Sequence, residues 1–261
     1  MPAMLTHPAP GAEIAPAAAL MGDPARAAML TALLDQRALA AGELAHLAGV
    51  SPPTASNHLA RLLDGGLVTV VRAGRHRYYR LAGREVAAAI EALSHLATPA
   101  PVRSLHQSRQ AAALARARLC YDHLAGQAGV ALLDALLAGG ILVGCACSGP
   151  EAAARAGFEV TAAGECALAT FGVDVRALRR SRRRFAGPCL DWTERRPHLN
   201  GALGAAITTR LMELGWIERG DRRRAVRITP AGHAGLTAAF GCALSPLPDA
   251  WAADRTARRA D

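Results

Sequence analysis

Three groupings of thiol and imidazole side chains stand out by their spacing in this chain, which holds six Cys and nine His in 261 residues. Cys120 and His123 lie three apart. On a helix that spacing puts both on one face, where they can supply two ligands to a soft metal ion. Cys145 and Cys147 flank a single residue, an arrangement able to chelate a thiophilic ion or to cycle between dithiol and disulfide. Cys189 precedes Asp191, Glu194 and His198, a mixed donor set. Against each stands the ordinary fate of a free thiol, burial as a small apolar side chain, and spacing leaves both open. His123 and His198 also hold equivalent positions in an internal repeat, which favours a common packing or capping role for the pair. Cys120, His123 and Cys189 are the candidate metal ligands, and a bound metal ion is the one cofactor the sequence admits. Cys120-Tyr-Asp-His123 also sets a nucleophile near a base. The chain has no Gly-rich phosphate loop, no Gly-x-Ser-x-Gly elbow and no His-Glu-x-x-His, so a Cys-dependent enzyme is the remote alternative and no catalysis is expected.

A second set of residues is suited to double-stranded DNA. Ser51 is placed to cap a helix that opens on Pro52-Pro53, and its outward positions Thr54, Ser56, Asn57 and Arg61 offer short hydrogen-bonding groups and one Arg. Asn can pair bidentately with adenine and Arg with guanine, while the free amides of a first helical turn favour phosphate. Arg72, Arg75 and Arg77 fall on or beside a hairpin, predicted over residues 67–72 and 76–81, where they would meet the DNA backbone or minor groove. The elements that must position these groups are legible. Asp23-Pro24 starts a helix running to Gln36, a second covers 41–48 with Leu44 and Leu47 facing in, and Gly49 ends it. The third turns Leu59, Leu62 and Leu63 inward and closes at Gly65-Gly66. Helix, helix, tight turn, helix and basic hairpin make a helix-turn-helix with a wing.

Residues 22–97 resemble the ArsR/SmtB family of bacterial repressors, above all in Ser51-Pro-Pro-Thr-Ala-Ser-Asn-His-Leu59, Asp64-Gly-Gly-Leu67 and Gly74-Arg-His-Arg-Tyr-Tyr-Arg-Leu81. Ser56-Asn-His-Leu59 and the run from Arg80 into Leu93 are similar to the branch that senses cadmium and lead. The resemblance implies a homodimer on a palindromic operator, released when an inducer binds. It also implies dimerisation through the helix 84–96, whose Val86, Ala89, Ile90 and Leu93 form an apolar stripe. The family's inducer sites do not carry over. Arsenic sensors have a Cys-x-Cys where this chain has Glu43-Leu-Ala-His-Leu47, and the cadmium branch has thiols at positions matching Arg61 and Gly65. Glu85, Glu91 and His95 only loosely match the zinc sensors' ligands and are expected to line a solvated face.

The second half repeats itself. His123 to Leu142 aligns without a gap on His198 to Ile217, and Phe158-Glu-Val-Thr-Ala-Ala-Gly164 matches Val226-Arg-Ile-Thr-Pro-Ala-Gly232. Each copy reads as two Gly-terminated helices, two strands and a third helix, a degenerate winged helix. The segment Cys189 to His198 resembles an extension carried by ArsR-like regulators. The expected organisation is a flexible tail over 1–20, the DNA-binding domain with its dimerisation helix over 21–97, and a linker over 98–102. A C-terminal domain over 103–245 then opens with a helix from Arg103 to Gly126, contains the copies 123–172 and 198–241, and leaves a tail over 246–261. The fold class is mainly α with small β-wings, α+β.

Thirty basic against 21 acidic residues give a net charge of +9, and every basic residue is Arg. Such a chain is drawn to polyanions. The charge is uneven: residues 23–97 hold 8 Arg and 6 acidic groups, a net of +2, whereas 174–227 hold 14 Arg and 6 acidic groups, a net of +8. An apolar fraction of 51% excludes a disordered chain. The N-terminal residues lack the charged and apolar regions of a signal peptide, and Val130 to Cys147 is broken by Asp134 and Gly139-Gly140, so neither export nor a membrane partner is expected. The thiols should then be reduced in a cytoplasmic protein. Together these features predict a DNA-binding transcriptional regulator, a dimeric repressor relieved by a metal or metalloid ion, with a thiol-redox or small-ligand response as the alternative.

Overall fold

The first helices form where local signals are strongest. In a computed structural model describing residues 13–74, 76–97, 104–145, 157–220 and 223–244, the chain divides into two units, Met1–Thr98 and Pro99–Asp261. In the first, α1 spans Ala15–Met21 and α2 spans Pro24–Ala32, with the Asp23 carboxylate accepting from the Arg26 amide at 2.9 Å. The strand β1 (Leu39–Ala40) leads into α3 (Ala41–Ala48), which stops at Gly49 in the left-handed region. Next come α4 (Pro52–Asp64), β2 (Val68–Ala73), β3 (His76–Leu81) and α5 (Arg84–Leu96). The three strands form one antiparallel sheet in the order β1-β3-β2. Met29, Leu30, Leu33, Leu44, Leu59, Leu62 and Val68 form the core beneath it.

Several expectations need correction here. The segment read as a tail contains α1, because an Ala run after Pro16 favours helix and the Arg26 guanidinium donates to the carbonyls of Leu20 (2.7 Å) and Ala19 (2.8 Å). The helix expected to reach Gln36 ends at Ala32, since Gln36 adopts a positive φ and buried Asp35 accepts from Arg37. Leu47 and Leu63 are exposed rather than inward-facing. Glu91 is buried, only 4% exposed, not on a solvated face.

The second unit opens with α6 (Leu105–Arg116). A hairpin of β4 (Arg118–Cys120) and β5 (His123–Ala125) feeds α7 (Gly126–Ala138), then a hairpin of β6 (Leu142–Gly144) and β7 (Phe158–Val160) feeds α8 (Ala162–Phe171). After the short α9 (Val175–Arg179) the same order recurs. The hairpin of β8 (Gly187–Leu190) and β9 (Pro197–Asn200) precedes α10 (Gly201–Glu213), and that of β10 (Ile217–Arg219) and β11 (Val226–Ile228) precedes α11 (Pro230–Phe240). Leu124, Leu133 and Leu136 share one core with Leu203, Leu211 and Leu236, so the two series bury a common apolar surface.

The helix expected from Arg103 to Gly126 therefore ends ten residues early, and each series has one helix, not two, ahead of its second hairpin. Tertiary pairing overrides local propensity at this point. The Leu119 amide donates to the Arg224 carbonyl at 2.8 Å and the Val226 amide to the Ala117 carbonyl at 2.9 Å, holding residues 117–119 extended. No described helix is long and apolar enough to cross a membrane.

Candidate functional site

The helix α4 carries its polar groups on one exposed side while Ala55, Leu59 and Leu62 anchor the other. The Ser51 hydroxyl accepts from the Thr54 amide at 3.4 Å and lies 2.8 Å from the Thr54 hydroxyl, so these two define the helix start. Ser56 donates back to the Pro52 carbonyl at 3.0 Å. Asn57 and Arg61 are exposed, their side chains form no hydrogen bond or ion pair among the described residues, and they share one open depression with Thr54. On the hairpin, exposed Arg72 and Arg77 face each other as register partners. Like charges directly opposite repel, a cost that an intervening polyanion removes. Arg75 lies outside the described residues.

A second constellation lies wholly within the C-terminal unit. Cys120 and His123 are not on a helix; they are directly opposed on β4 and β5. Cys189 and His198 are opposed in the same way on β8 and β9. The two hairpins bring these four side chains together, with a ligand atom of each within 4.8 Å of all the others. The sulfur atoms are 3.9 Å apart and the imidazole rings stack with centroids 5.1 Å apart. Close packing depends on two glycines at equivalent places. A Cβ on Gly129 would sit 2.4 Å from the Leu124 carbonyl oxygen and 3.4 Å from the His198 Cβ, and one on Gly204 would sit 2.4 Å from the Leu199 carbonyl oxygen and 3.4 Å from the His123 Cβ.

Each imidazole has a carboxylate behind it. Asp122 lies 3.2 Å from His123 Nδ1 and is held by Arg183 through two contacts of 2.5 and 2.9 Å. Asp191, fully buried, lies 3.4 Å from His198 Nδ1 and 3.0 Å from the buried Arg118 guanidinium. It also accepts from the amides of Gly126, Thr193 and Glu194 and from the Thr193 hydroxyl. Each carboxylate is thus clamped by an Arg from the other half of the unit. Nε2 of His123 and both ring nitrogens of His198 are buried without a hydrogen-bond partner among the described residues.

The protonation states follow from these contacts. The hydrogen bond with Cys189 and burial push the Cys120 thiol up to about 12, against the pull of the neighbouring imidazoles. Burial works against charge on His123, but the bond to Asp122, with a smaller contribution from Cys120, raises it to about 9. Burial opposes ionisation of Asp122, yet its bonds to His123 and Arg183 lower it to about 2. Asp191 is likewise held well below the carboxylate range, Arg118 and its hydrogen-bond donors outweighing burial.

All three sequence-derived ligand candidates meet here, and His198 completes the group. Glu194 adds only its backbone amide to Asp191. Cys145 is partly exposed, and Cys147 lies outside the described residues.

A winged helix with an exposed polar recognition helix and an arginine-bearing hairpin defines a helix-turn-helix DNA-binding protein. Residues 21–71 match the family HTH_20, described as a helix-turn-helix domain. The chain is 44% identical over 219 residues to YdfF of Bacillus subtilis strain 168, an HTH-type transcriptional regulator, covering 84% of this chain and 93% of that protein. The chain belongs to the ArsR-type helix-turn-helix transcriptional regulators. Similar solved structures include the cadmium sensor CMTR of Mycobacterium tuberculosis, 31% identical, covering 36% of this chain and 99% of that one with a TM-score of 0.29. NolR of Sinorhizobium fredii is 30% identical, with 33% and 85% covered and a TM-score of 0.30. The homodimeric DNA-binding domain of Mb0332 from Mycobacterium bovis is 31% identical, with 32% and 76% covered and a TM-score of 0.30.

Proposed function

We propose that this regulator is a cytoplasmic, dimeric repressor that holds double-stranded operator DNA through α4 and the β2–β3 wing, and that metal binding in its second unit weakens that grip. The single observation that carries the metal response is the meeting of Cys120, His123, Cys189 and His198 in one cluster. The second unit is read as two degenerate winged-helix-like copies, 123–172 and 198–241, that serve as the sensing module. In DNA recognition Asn57 and Arg61 read bases, Arg72, Arg75 and Arg77 meet backbone, and Ser51, Thr54 and Ser56 set the helix N-terminus against phosphate.

The test is a gel shift with DNA upstream of the chain's own coding sequence, at fixed salt, with and without zinc or cadmium. The metal is expected to lower operator affinity; an affinity that ignores every thiophilic metal tried overturns the response. Asn57→Ala and Arg61→Ala should each cost ~1–3 kcal/mol at one base position. Equal weakening on all sequences would make them phosphate contacts instead.

The sulfur separation of 3.9 Å favours one second reading, a thiol-redox response. Hydrogen peroxide would take two electrons from the Cys120–Cys189 pair, leaving a disulfide and two waters. Peptide mapping that finds both thiols free after peroxide removes it.

A further inference from the structure

We propose that Cys120, His123, Cys189 and His198 form a closed four-coordinate centre for a divalent d10 ion, zinc or its heavier congener cadmium, bound through both Sγ atoms and the Nε2 atom of each imidazole. The proposal rests on the metal-responsive reading for its regulatory meaning, but not for its coordination. Distance is the first argument. A tetrahedral zinc with bonds of about 2.3 Å to sulfur requires its two sulfurs ~3.8 Å apart, and Cys120 and Cys189 stand at 3.9 Å. Two thiols in apolar packing have no reason to share a site with two stacked imidazoles whose inner nitrogens lack partners. A buried polar nitrogen left without a hydrogen bond destabilises the fold, and coordination satisfies it.

The carboxylates fix which nitrogen binds. Asp122 and Asp191 lie 3.2 and 3.4 Å from the Nδ1 atoms, so their negative charge favours a proton on that side of each ring. This leaves Nε2, buried without a hydrogen-bond partner among the described residues, as the nitrogen to ligate, the arrangement common behind ligating imidazoles. Charge supports the choice of ion. Two thiolates and two neutral imidazoles around a divalent cation sum to zero, which suits a site where Cys120, His123 and His198 are all buried. A donor set of two sulfurs and two nitrogens in tetrahedral array selects zinc-like ions over the oxygen-seeking magnesium and calcium.

The centre also has a mechanical consequence. One ligand pair comes from the hairpin before α7 and the other from the hairpin before α10. An ion there cross-links the two halves of the unit, and its Asp122 and Asp191 supports are each clamped by an Arg of the opposite half.

The purified full chain, reduced, stripped with a chelator and titrated with cobalt, should bind one ion and develop visible bands of tetrahedral cobalt plus sulfur-to-cobalt charge transfer, all displaced by zinc. Zinc should protect the half-buried Cys189 from alkylation by iodoacetamide and leave the exposed Cys166 reactive. These readouts need no variant to fold. Cys120→Ser with Cys189→Ser, checked by circular dichroism, should lose the charge-transfer band. Asp122→Asn should keep the band and bind zinc ~10–100-fold more weakly, as a positioning residue does. Cobalt binding without charge transfer, or equal alkylation of Cys189 with and without zinc, overturns the centre. A centre that forms while operator affinity stays unchanged supports the coordination and removes the metal-responsive repressor. A zinc response at the operator that persists in a folded double-Ser variant removes this centre's regulatory role and places the responsive ligands elsewhere.

Discussion

The proton inventory around His123 determines how the second unit responds to pH. Without metal its ring is charged at neutral pH: burial opposes this, but the Asp122 bond and the Cys120 sulfur lift it to about 9. A group raised on folding contributes stability that is full below its unfolded value of about 6.5 and lost as pH climbs through its folded value. The metal-free chain should therefore melt at lower temperature as pH rises through about 9. A bound ion has the opposite slope, because it needs neutral imidazoles and ionised thiols, and the Cys120 thiol sits at about 12 when it holds a proton. Metal binding must expel those protons. Zinc affinity, measured by chelator competition, should increase at least ~10-fold between about pH 6 and about pH 8, as expected for proton-coupled binding. An affinity flat across that range would mean that these thiols stay protonated and are not ligands.

Elements explain why one site was legible in the sequence and the other only partly so. The helix α4, proposed to read DNA, announces itself locally: Ser51 caps it, Pro52 and Pro53 open it, and buried Leu59 and Leu62 fix its inner side. The ligand cluster draws on strands of three or four residues whose partners are distant in sequence. Around Cys120 the composition favours helix, and only burial of Arg118 against Asp191 and the contacts of Leu119 and Ala117 with the other half make it a strand. The repeat was visible from the histidines, His198 following His123 by 75 residues, but Cys189 follows Cys120 by only 69. The longer β8–β9 turn hides that Cys-x-Asp recurs at 120–122 and 189–191, the signal that pairs all four ligands. At the same scale α5 leaves Leu93 and Leu96 48% and 83% exposed, while Ile90 turns inward. Burying each of those leucines against a second copy is worth about 1.5–3 kcal/mol. Leu93→Asp with Leu96→Asp should shift the chain from dimer to monomer in analytical ultracentrifugation and abolish tight operator binding. A variant that stays dimeric would move the interface off this end of α5.

For the whole molecule, formal charge overstates what is available to DNA. Of the 14 Arg in residues 174–227, many are spent inside the unit: Arg179 pairs with Glu159 and Glu165, Arg183 with Asp122, Arg196 with Asp134, Arg210 with Glu213 and Arg227 with Glu218. Arg224 is buried, donating to the Leu119 carbonyl. Arg176, Arg180 and Arg182 are exposed and make no ion pair among the described residues, so they are the cations of this block best placed to meet phosphate. Each phosphate neutralised releases counterions and steepens the salt dependence of binding by about 0.9 in the logarithmic slope. Replacing all three with Ala should thus flatten that slope by up to ~2.7 if the second unit lies along the DNA flanking the operator. Arg72→Ala with Arg77→Ala, on the wing, should flatten it by up to ~1.8 on the same accounting. Should the wing pair change the slope while the Arg176, Arg180 and Arg182 variant leaves it untouched, the electrostatic contact is confined to the first unit. The positive charge of the second would then serve its own internal pairing and solubility, and its contribution to regulation would come through the thiol–imidazole cluster alone.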